Sequence, residues 1–130
     1  TRAVRRRQAG REAAAPLMSS RGDDAEQRAA AYLQLAGLKL VERNYRCRFG
    51  EIDLIARDGA TLVFVEVRMR SSERFGGAAA SITAAKQAKL LRTARHYLAG
   101  LARAPQCRFD ALLVNGNDGS IEWLKNAFAE

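Results

Sequence analysis

Histidine and cysteine, which supply most zinc sites and many hydrolytic nucleophiles, are almost absent from this chain of 130 residues. The sequence contains one histidine, His96, and two cysteines, Cys47 and Cys107. Ligands this scattered do not form a structural zinc site unless carboxylates supply most of the coordination. A Ser-His-acid or Cys-His nucleophile would have to use His96, which has no acidic residue near it in the sequence. Both classes of site are therefore poor explanations for this chain.

Long apolar runs and disulfide patterns are also missing. No stretch approaches the roughly 18 apolar residues that a membrane-spanning helix needs, and the arginine-rich N-terminus lacks the apolar core of a signal peptide. The two cysteines are far apart and have no C-x-x-C spacing, which is typical of reduced thiols in a cytosolic protein. The sequence predicts a soluble, cytoplasmic protein with no membrane partner.

Acidic residues are in short supply relative to basic ones. The chain has 22 Lys and Arg against 14 Asp and Glu, a formal net charge of +8, and 18 of its basic residues are arginines. The guanidinium group binds phosphate through two parallel hydrogen bonds, so a balance rich in arginine favours polyanions as partners. At 48% the hydrophobic fraction is sufficient for a folded core.

The chain divides into two parts by composition. Residues 1–20 carry five arginines and a single acid, Glu12, and are interpreted as a basic N-terminal arm, in which the Arg, Ala and Glu content of Val4–Ala15 favours a helix. Residues 21–130 have the regular patterning of a globular domain.

Hydrophobic periodicity predicts an α/β domain in which a mixed sheet is flanked by helices. The predicted elements, in chain order, are a helix over Ala25–Leu35 capped by Asp23 or Asp24 and ended by Gly37, strands over Leu38–Tyr45, Glu51–Ala56 and Leu62–Val67, a helix from Thr83 to Ala99, and strands over Phe109–Val114 and Ile121–Leu124. The glycine-containing segment Ser71–Ser81 is interpreted as a loop. The resulting order is α-β-β-β-α-β-β.

The second and third strands form a predicted hairpin that carries several acids. If Asp58-Gly59 is its two-residue loop, Glu51 lies opposite Glu66 and Asp53 lies opposite Phe64. Alternation then places Glu51, Asp53, Glu66 and Arg68 on one face of the sheet, and Ile52, Leu54, Val65 and Val67 on the other.

Carboxylates opposed on neighbouring strands repel one another unless a positive charge compensates them. A cluster of hard oxygen ligands of this kind suits Mg²⁺ or Mn²⁺, which would activate a water and neutralise charge on a phosphate. We therefore take Glu51, Asp53 and Glu66 as candidate metal ligands. The alternative is a solvated acidic surface, balanced by Arg46, Arg48, Arg68 and Arg70.

The second helix has a basic face. Lys86, Lys89, Arg92 and Arg95 recur every three residues, and no acid occurs between Arg74 and Phe109. An ordinary solvated helix face mixes charges of both signs, so this one is predicted to contact phosphates, together with Arg46 and Arg70. The alternative is a solvated face without a partner. Six aromatic residues are assigned to the core rather than to base stacking, namely Tyr32, Phe49, Phe64, Phe75, Tyr97 and Phe109.

Two segments of the predicted hairpin resemble the signature of a known family. The segments Gly50–Ala56 (GEIDLIA) and Phe64–Arg68 (FVEVR) are similar to the signature of the YraN-type family of uncharacterised proteins. Over roughly residues 20–128 further landmarks agree, namely Gly22, Glu26, Ala29, Tyr32, Leu33, Asn44–Arg46, Phe75-Gly76, Ile82-Thr83, Lys86, Arg108–Asp110 and Asn126–Phe128.

That family resembles the restriction-endonuclease-like nucleases, in particular the archaeal Holliday junction resolvases. The resemblance implies that Glu26 is a helix acid of the active site, that Asp53 and Glu66 are metal ligands joined by the carbonyl of Val67, and that Arg68 occupies the position of a lysine. Arginine is effectively never deprotonated, so Arg68 can supply charge but cannot act as a base. The metal would then activate the water unaided, or Lys86 would reach in from the helix.

Three functional hypotheses follow. The first is a magnesium-dependent endonuclease acting on branched or structured DNA, with Asp53, Glu66, Glu51 and Glu26 at the metal and Arg68 stabilising phosphate charge. The second is a nucleic-acid-binding protein that keeps this scaffold but cleaves weakly or not at all. The third is a protein-interaction domain for an acidic partner. A homodimer with two-fold symmetry would suit a symmetric DNA junction.

Overall fold

The computed structural model describes residues 21–70 and 82–128, with the side chains of residues 21–23 and 70 left aside. The predicted basic arm over residues 1–20 and the predicted loop over residues 71–81 lie outside the described residues.

The described chain contains two helices and five strands. In chain order they are α1 (Arg21–Leu35), β1 (Lys39–Cys47), β2 (Gly50–Asp58), β3 (Thr61–Arg70), α2 (Ala84–Ala99), β4 (Cys107–Asn115) and β5 (Ile121–Phe128). This order confirms the predicted α-β-β-β-α-β-β arrangement. The strands lie side by side in their sequence order in one mixed sheet, and only the β3–β4 pair is parallel. Neither helix of this part of the chain is long and apolar enough to span a membrane.

Both helices have recognisable end signals, although one predicted start is wrong. Helix α1 begins at Arg21, so Asp23 and Asp24 lie inside it rather than capping it. It ends as predicted, because Gly37 adopts a φ of +102° that suits glycine. The hydroxyl of Thr83 caps α2 by accepting a hydrogen bond of 3.2 Å from the backbone N–H of Lys86.

The hairpin between β2 and β3 has a register that differs from the prediction. Its loop is Gly59-Ala60, so Asp58 pairs with Thr61 and Leu54 pairs with Val65. Gly59 has a φ of +62°, which suits glycine at the first central position of a type II′ turn, and this choice moves the register by two residues. Because side chains alternate with a period of two, such a shift changes the facing partners but keeps each residue on its face.

The core has one layer on each side of the sheet. On one side, Ala29, Ala30 and Leu33 of α1 pack against Leu54, Ala56, Val63, Val65 and Leu112. On the other side, Leu90 and Ala94 of α2 pack against Ile52, Ile55, Leu62, Phe64 and Phe109. Strand β3 is therefore covered on both faces, as its continuous apolar run predicts.

Strand alternation fails near Asp53. Ile52 joins the cluster on the α2 side together with Ile55, rather than sharing a face with Leu54 as predicted. The residue of β1 beside this point, Asn44, has a φ of +53°, and the regular β2–β3 pairing ends at Leu54 and Val65. This local irregularity frees the Asp53 side chain from an ordinary strand position.

Two aromatic residues assigned to the core lie at its edge. Tyr32 is exposed and meets Trp123 edge to face, with ring centroids 6.2 Å apart. Phe49 is half-buried and belongs to none of the apolar clusters formed by the described residues. Phe64 and Phe109, in contrast, stack within the core at 5.3 Å.

One buried acid holds the last strand in place. Asp110 of β4 is completely buried and accepts hydrogen bonds from Arg108, from the indole Nε1 of Trp123 at 2.9 Å and from the backbone N–H of Asn126 at 3.0 Å. The β4–β5 register shifts at this point, between Phe109 and Ala111. Because its hydrogen bonds are satisfied, Asp110 has a structural role in joining β4 to β5.

Gly50 is expected to tolerate no side chain. It has a φ of +146°, and a Cβ atom there would lie 3.2 Å from Oγ1 of the buried Thr93. We expect Gly50→Ala to lower the free energy of unfolding by about 1–3 kcal/mol, measured by urea denaturation. The control is Gly100→Ala, because Gly100 has an ordinary φ of −86°; equal effects of the two substitutions would contradict the prediction.

Candidate active site

Asp53 is positioned by a hydrogen bond from the neighbouring strand. The backbone N–H of Val67 donates to Oδ2 of Asp53 at 2.8 Å. The carboxylate thus takes an acceptor position that a backbone carbonyl would hold in a regular ladder. This contact turns the Asp53 side chain of β2 towards β3 and fixes its orientation.

Glu66 of β3 is the second acid of the site, and two cations contact it. Its residue exposure is only 4%. Nζ of Lys86, from α2, lies 3.0 Å from Oε2 of Glu66, and Nη1 of Arg68 lies 3.4 Å from the same oxygen. Because Phe64 of the same strand face packs against α2, the helix brings Lys86 directly over Glu66.

Glu26 completes the cluster from the other helix. It lies on α1 and is half-buried, and its charge and hydrogen bonding both act on Asp53. The structure therefore brings Glu26, Asp53 and Glu66 together, as the resemblance implies, with Lys86 and Arg68 beside them.

The electrostatics show that the negative charge in this pocket is only partly compensated. Burial, followed by the charge of Glu26, raises the pKa of Asp53 to about 6, although the hydrogen bond from Val67 opposes the shift. Burial and the charge of Asp53 raise the pKa of Glu66, whereas Lys86 and Arg68 oppose that rise. The ionised form of Asp53 is therefore destabilised by burial and by Glu26, and that of Glu66 by burial and by Asp53, whereas a hydrogen bond with Glu66 lowers the pKa of Asp53.

Glu51 is not part of this cluster. Its carboxylate forms an exposed ion pair with Nε of Arg46 at 2.9 Å, and it is not among the groups that shift the pKa of Asp53 or Glu66. The expected position of Glu51 opposite Glu66 is wrong because the hairpin register is shifted. Its proposed role as a metal ligand has no support in the geometry.

The donor set fits a magnesium-type ion held by two carboxylates. Within residues 21–70 and 82–128, no group of three or more His, Cys, Asp or Glu side chains is arranged to hold a metal. Mg²⁺, however, is usually bound through one or two carboxylates and keeps several waters for the remaining positions. Asp53 and Glu66 supply such a pair, and burial raises the pKa of both.

A basic surface lies beside the acids. We define it as Arg48, Lys89, Arg92 and Arg95, all of which are exposed. The β1–β2 turn joins this surface because Gly50 lies against α2, with its Cβ position 4.0 Å from Cβ of Lys89. Lys86 points towards Glu66, Arg46 pairs with Glu51, and the side chain of Arg70 lies outside the described side chains.

Two features of the site could not be read from strand alternation alone. The Val67 N–H that holds Asp53 is a backbone group, so no residue type signals it. The approach of Lys86 to Glu66 joins a helix to a strand, and the periodicity of α2 placed Lys86 with the phosphate-binding residues. Only the resemblance pointed to Lys86 as a residue able to reach the acids.

Fold and site together define a mixed α/β domain with a carboxylate pair on its central hairpin, of which Glu66 is buried and Asp53 is half-buried. The model of the uncharacterised protein family UPF0102 matches residues 25–114, and the chain belongs to this family, the YraN-type family that its hairpin motifs resemble.

Curated relatives agree with this assignment. The chain is similar to a UPF0102 protein of Nitrosomonas europaea, with 68% identity over 112 residues that cover 85% of this chain and 95% of that protein. A UPF0102 protein of Nitrosomonas eutropha is 63% identical over 85% of this chain and 95% of its own length. One from Methylobacillus flagellatus is 58% identical over 86% of this chain and 99% of its own length.

Removing the charge of Asp53 is expected to stabilise the protein at neutral and alkaline pH. The pKa of Asp53 rises from 3.8 to about 6 on folding, so the folded state binds the proton more tightly and its stability falls as pH rises through this interval. Asn keeps an acceptor for the Val67 N–H but carries no charge. We expect Asp53→Asn to be more stable than the wild type by about 1–3 kcal/mol at pH 8, with the difference disappearing near pH 4.

Urea unfolding between pH 4 and pH 8 in the presence of a chelator measures this difference. Glu51→Gln is the matched control, because it removes an exposed carboxylate from the same strand. Parallel profiles of unfolding free energy against pH for Asp53→Asn and the wild type would contradict the raised pKa of Asp53.

Proposed function

We propose that the protein is a metal-dependent endonuclease that hydrolyses phosphodiester bonds in branched or otherwise structured DNA. The observation that carries the proposal is the proximity of Asp53 and Glu66 on adjacent strands, with Lys86 and Arg68 both at Oε2 of Glu66. Family membership supports it through the likeness of that family to restriction-endonuclease-like nucleases.

Asp53 and Glu66 would hold the metal ion, Mg²⁺ or Mn²⁺, with Glu26 adding negative charge from α1. When bound, such an ion lowers the pKa of a coordinated water and neutralises charge on the phosphate. The raised pKa values of both acids indicate that binding a cation would also relieve a repulsion already present in the fold.

The other residues of the site would position the substrate and carry charge. The Val67 N–H holds Asp53 in one orientation, which reduces the entropy lost when the site is assembled. Arg68 is a permanent cation suited to a phosphate oxygen. A lysine side chain can lose a proton, whereas an arginine side chain cannot. A proton transfer at this position would therefore have to use Lys86 rather than Arg68.

The basic surface would bind the DNA backbone next to these acids. Lys89 and Arg92 are exposed on α2, and Arg48 lies on the adjoining β1–β2 turn. The sequence of α2 contains no acidic residue, so its phosphate-facing side offers no repulsion. A two-fold dimer, which would match the symmetry of a four-way junction, stays a prediction that molecular mass with and without junction DNA would test.

Cleavage is the direct test of the proposal. Duplex, single-stranded, flap and four-way-junction DNA are incubated with the protein and Mg²⁺ or Mn²⁺, and products are separated on denaturing gels. We expect metal-dependent cleavage of branched substrates that falls at least about 100-fold in Asp53→Asn and in Glu66→Gln, because each removes a metal-binding charge.

Glu51→Gln is the control that should retain activity, because Glu51 lies outside the carboxylate cluster. As an independent readout, Mg²⁺ should raise the Tm of the wild type but not that of Asp53→Asn. Cleavage that survives both acid substitutions would refute the proposed site.

Salt dependence tests the role of the basic surface. If Lys89 and Arg92 each neutralise one phosphate, the double substitution Lys89→Ala and Arg92→Ala should reduce the slope of log K against log salt by about 2 on duplex DNA. Fluorescence anisotropy at several salt concentrations measures the slope. Lys39→Ala combined with Arg43→Ala, both exposed on β1, is the matched control, and an equal loss in that variant would show that only net charge matters.

A second function, nucleic-acid binding with little or no cleavage, is favoured by one observation. Arg68 occupies the position where the resembling nucleases carry lysine, and an arginine cannot give up a proton. In that case binding would depend on Lys89 and Arg92 but would be unaffected by Asp53→Asn, and no substrate in the cleavage screen would be cut.

A further inference from the structure

The β1–β2 turn places an aromatic ring on the basic surface. Phe49, in this turn, is half-buried and stays outside the three apolar clusters of the described residues. The other phenylalanines of the described chain, Phe64, Phe109 and Phe128, stack on one another within the α2-side core. Phe49 therefore has no role in the core that would explain its position.

Contacts with α2 hold the turn in place. Gly50 packs closely against the buried Thr93, which leaves no room for the turn to move towards the helix. The ring of Phe49 meets His96 edge to face with centroids 5.9 Å apart. His96 is itself held by Tyr45, whose hydroxyl lies 2.6 Å from Nδ1.

Positive charge lies beside the ring. The guanidinium carbon of Arg48 lies 4.9 Å from the ring centroid of Phe49. Lys89 lies beside the turn, and Arg92 is exposed one helical turn before His96. The nearest acid in the sequence, Glu51, is paired with Arg46. A nucleotide reaching Phe49 would find cations for its phosphate as well as an aromatic ring for its base.

We infer that Phe49 and Arg48 form a stacking platform for an unpaired base of the DNA substrate, which defines the substrate as DNA with unpaired nucleotides next to the scissile phosphate. Bases stack on aromatic rings and on guanidinium planes with little dependence on sequence. Asp53 is four positions after Phe49 in the chain, which corresponds to at most about 13 Å of extended chain. This inference rests on the proposed function and deepens it, with Phe49 as a substrate-positioning residue.

The test compares branched and blunt DNA of equal charge. A flap with 2-aminopurine at its first unpaired position and a blunt duplex with the same number of phosphates are titrated with the wild type, Phe49→Leu and Phe49→Trp in a chelator. Leucine keeps an apolar side chain of similar size but has no aromatic face, and tryptophan restores one.

We expect Phe49→Leu to weaken binding to the flap at least about fivefold while duplex binding changes less than about twofold. The wild type and Phe49→Trp should perturb 2-aminopurine fluorescence on binding, and Phe49→Leu should not. Equal losses on both substrates, or no loss on either, would overturn the inference.

The outcomes separate this inference from the nuclease proposal. Flap binding that depends on Phe49 without any cleavage by the wild type would overturn the nuclease and retain the stacking platform. Metal-dependent cleavage that is unaffected by Phe49→Leu would overturn the platform and retain the nuclease. A wild type that binds neither DNA at low salt would overturn both.

Discussion

The main energetic constraint on this fold is the free-energy cost of keeping the carboxyl groups of Asp53 and Glu66 close together and away from water. Burial raises the pKa of both carboxyls, the charge of Glu26 raises that of Asp53 further, and the charge of Asp53 raises that of Glu66. A fold selected only for stability would replace such a pair with apolar residues, because buried charges are costly unless they are fully compensated. Here the compensation is partial and comes from one backbone N–H and two cations. Carboxyl groups whose pKa values are shifted by burial and by neighbouring charges are typical of functional sites.

Helix α2 serves the core and the site at once. Leu90 and Ala94 bury one side of it against the sheet, while Lys86 reaches Glu66 from its first turn. As the crossover between the parallel strands β3 and β4, it must lie across this face of the sheet. The exposed cations of α2 therefore lie on the same side of the sheet as Lys86. The β1–β2 turn extends this basic surface, because Gly50 lets the turn pack closely against α2.

The elements and their order follow from sequence periodicity, since apolar spacing, Thr83 and the glycines mark each boundary to within a few residues. The proximity of Asp53 to Glu66 was also predictable, because both lie on the same hairpin, although alternation fails beside Asp53. The residue that faces each acid across the hairpin was not predictable, because it depends on which two residues form the turn. Glu51 was misplaced for that reason, and Ile52 because alternation along β2 fails beside Asp53, where the regular β2–β3 pairing ends.

The sequence by itself determined the class of fold, the basic surface of α2 and the presence of acids on the central hairpin, since these depend on local patterns of polarity and charge. Tertiary structure alone decided which acids meet. It turned Glu51 outward to Arg46, set Val67 N–H on Asp53 and brought Lys86 to Glu66. The reason is geometric. The contacts of Glu51 and Asp53 depend on the register of the strands, and the contact of Lys86 with Glu66 forms only when α2 packs on the sheet.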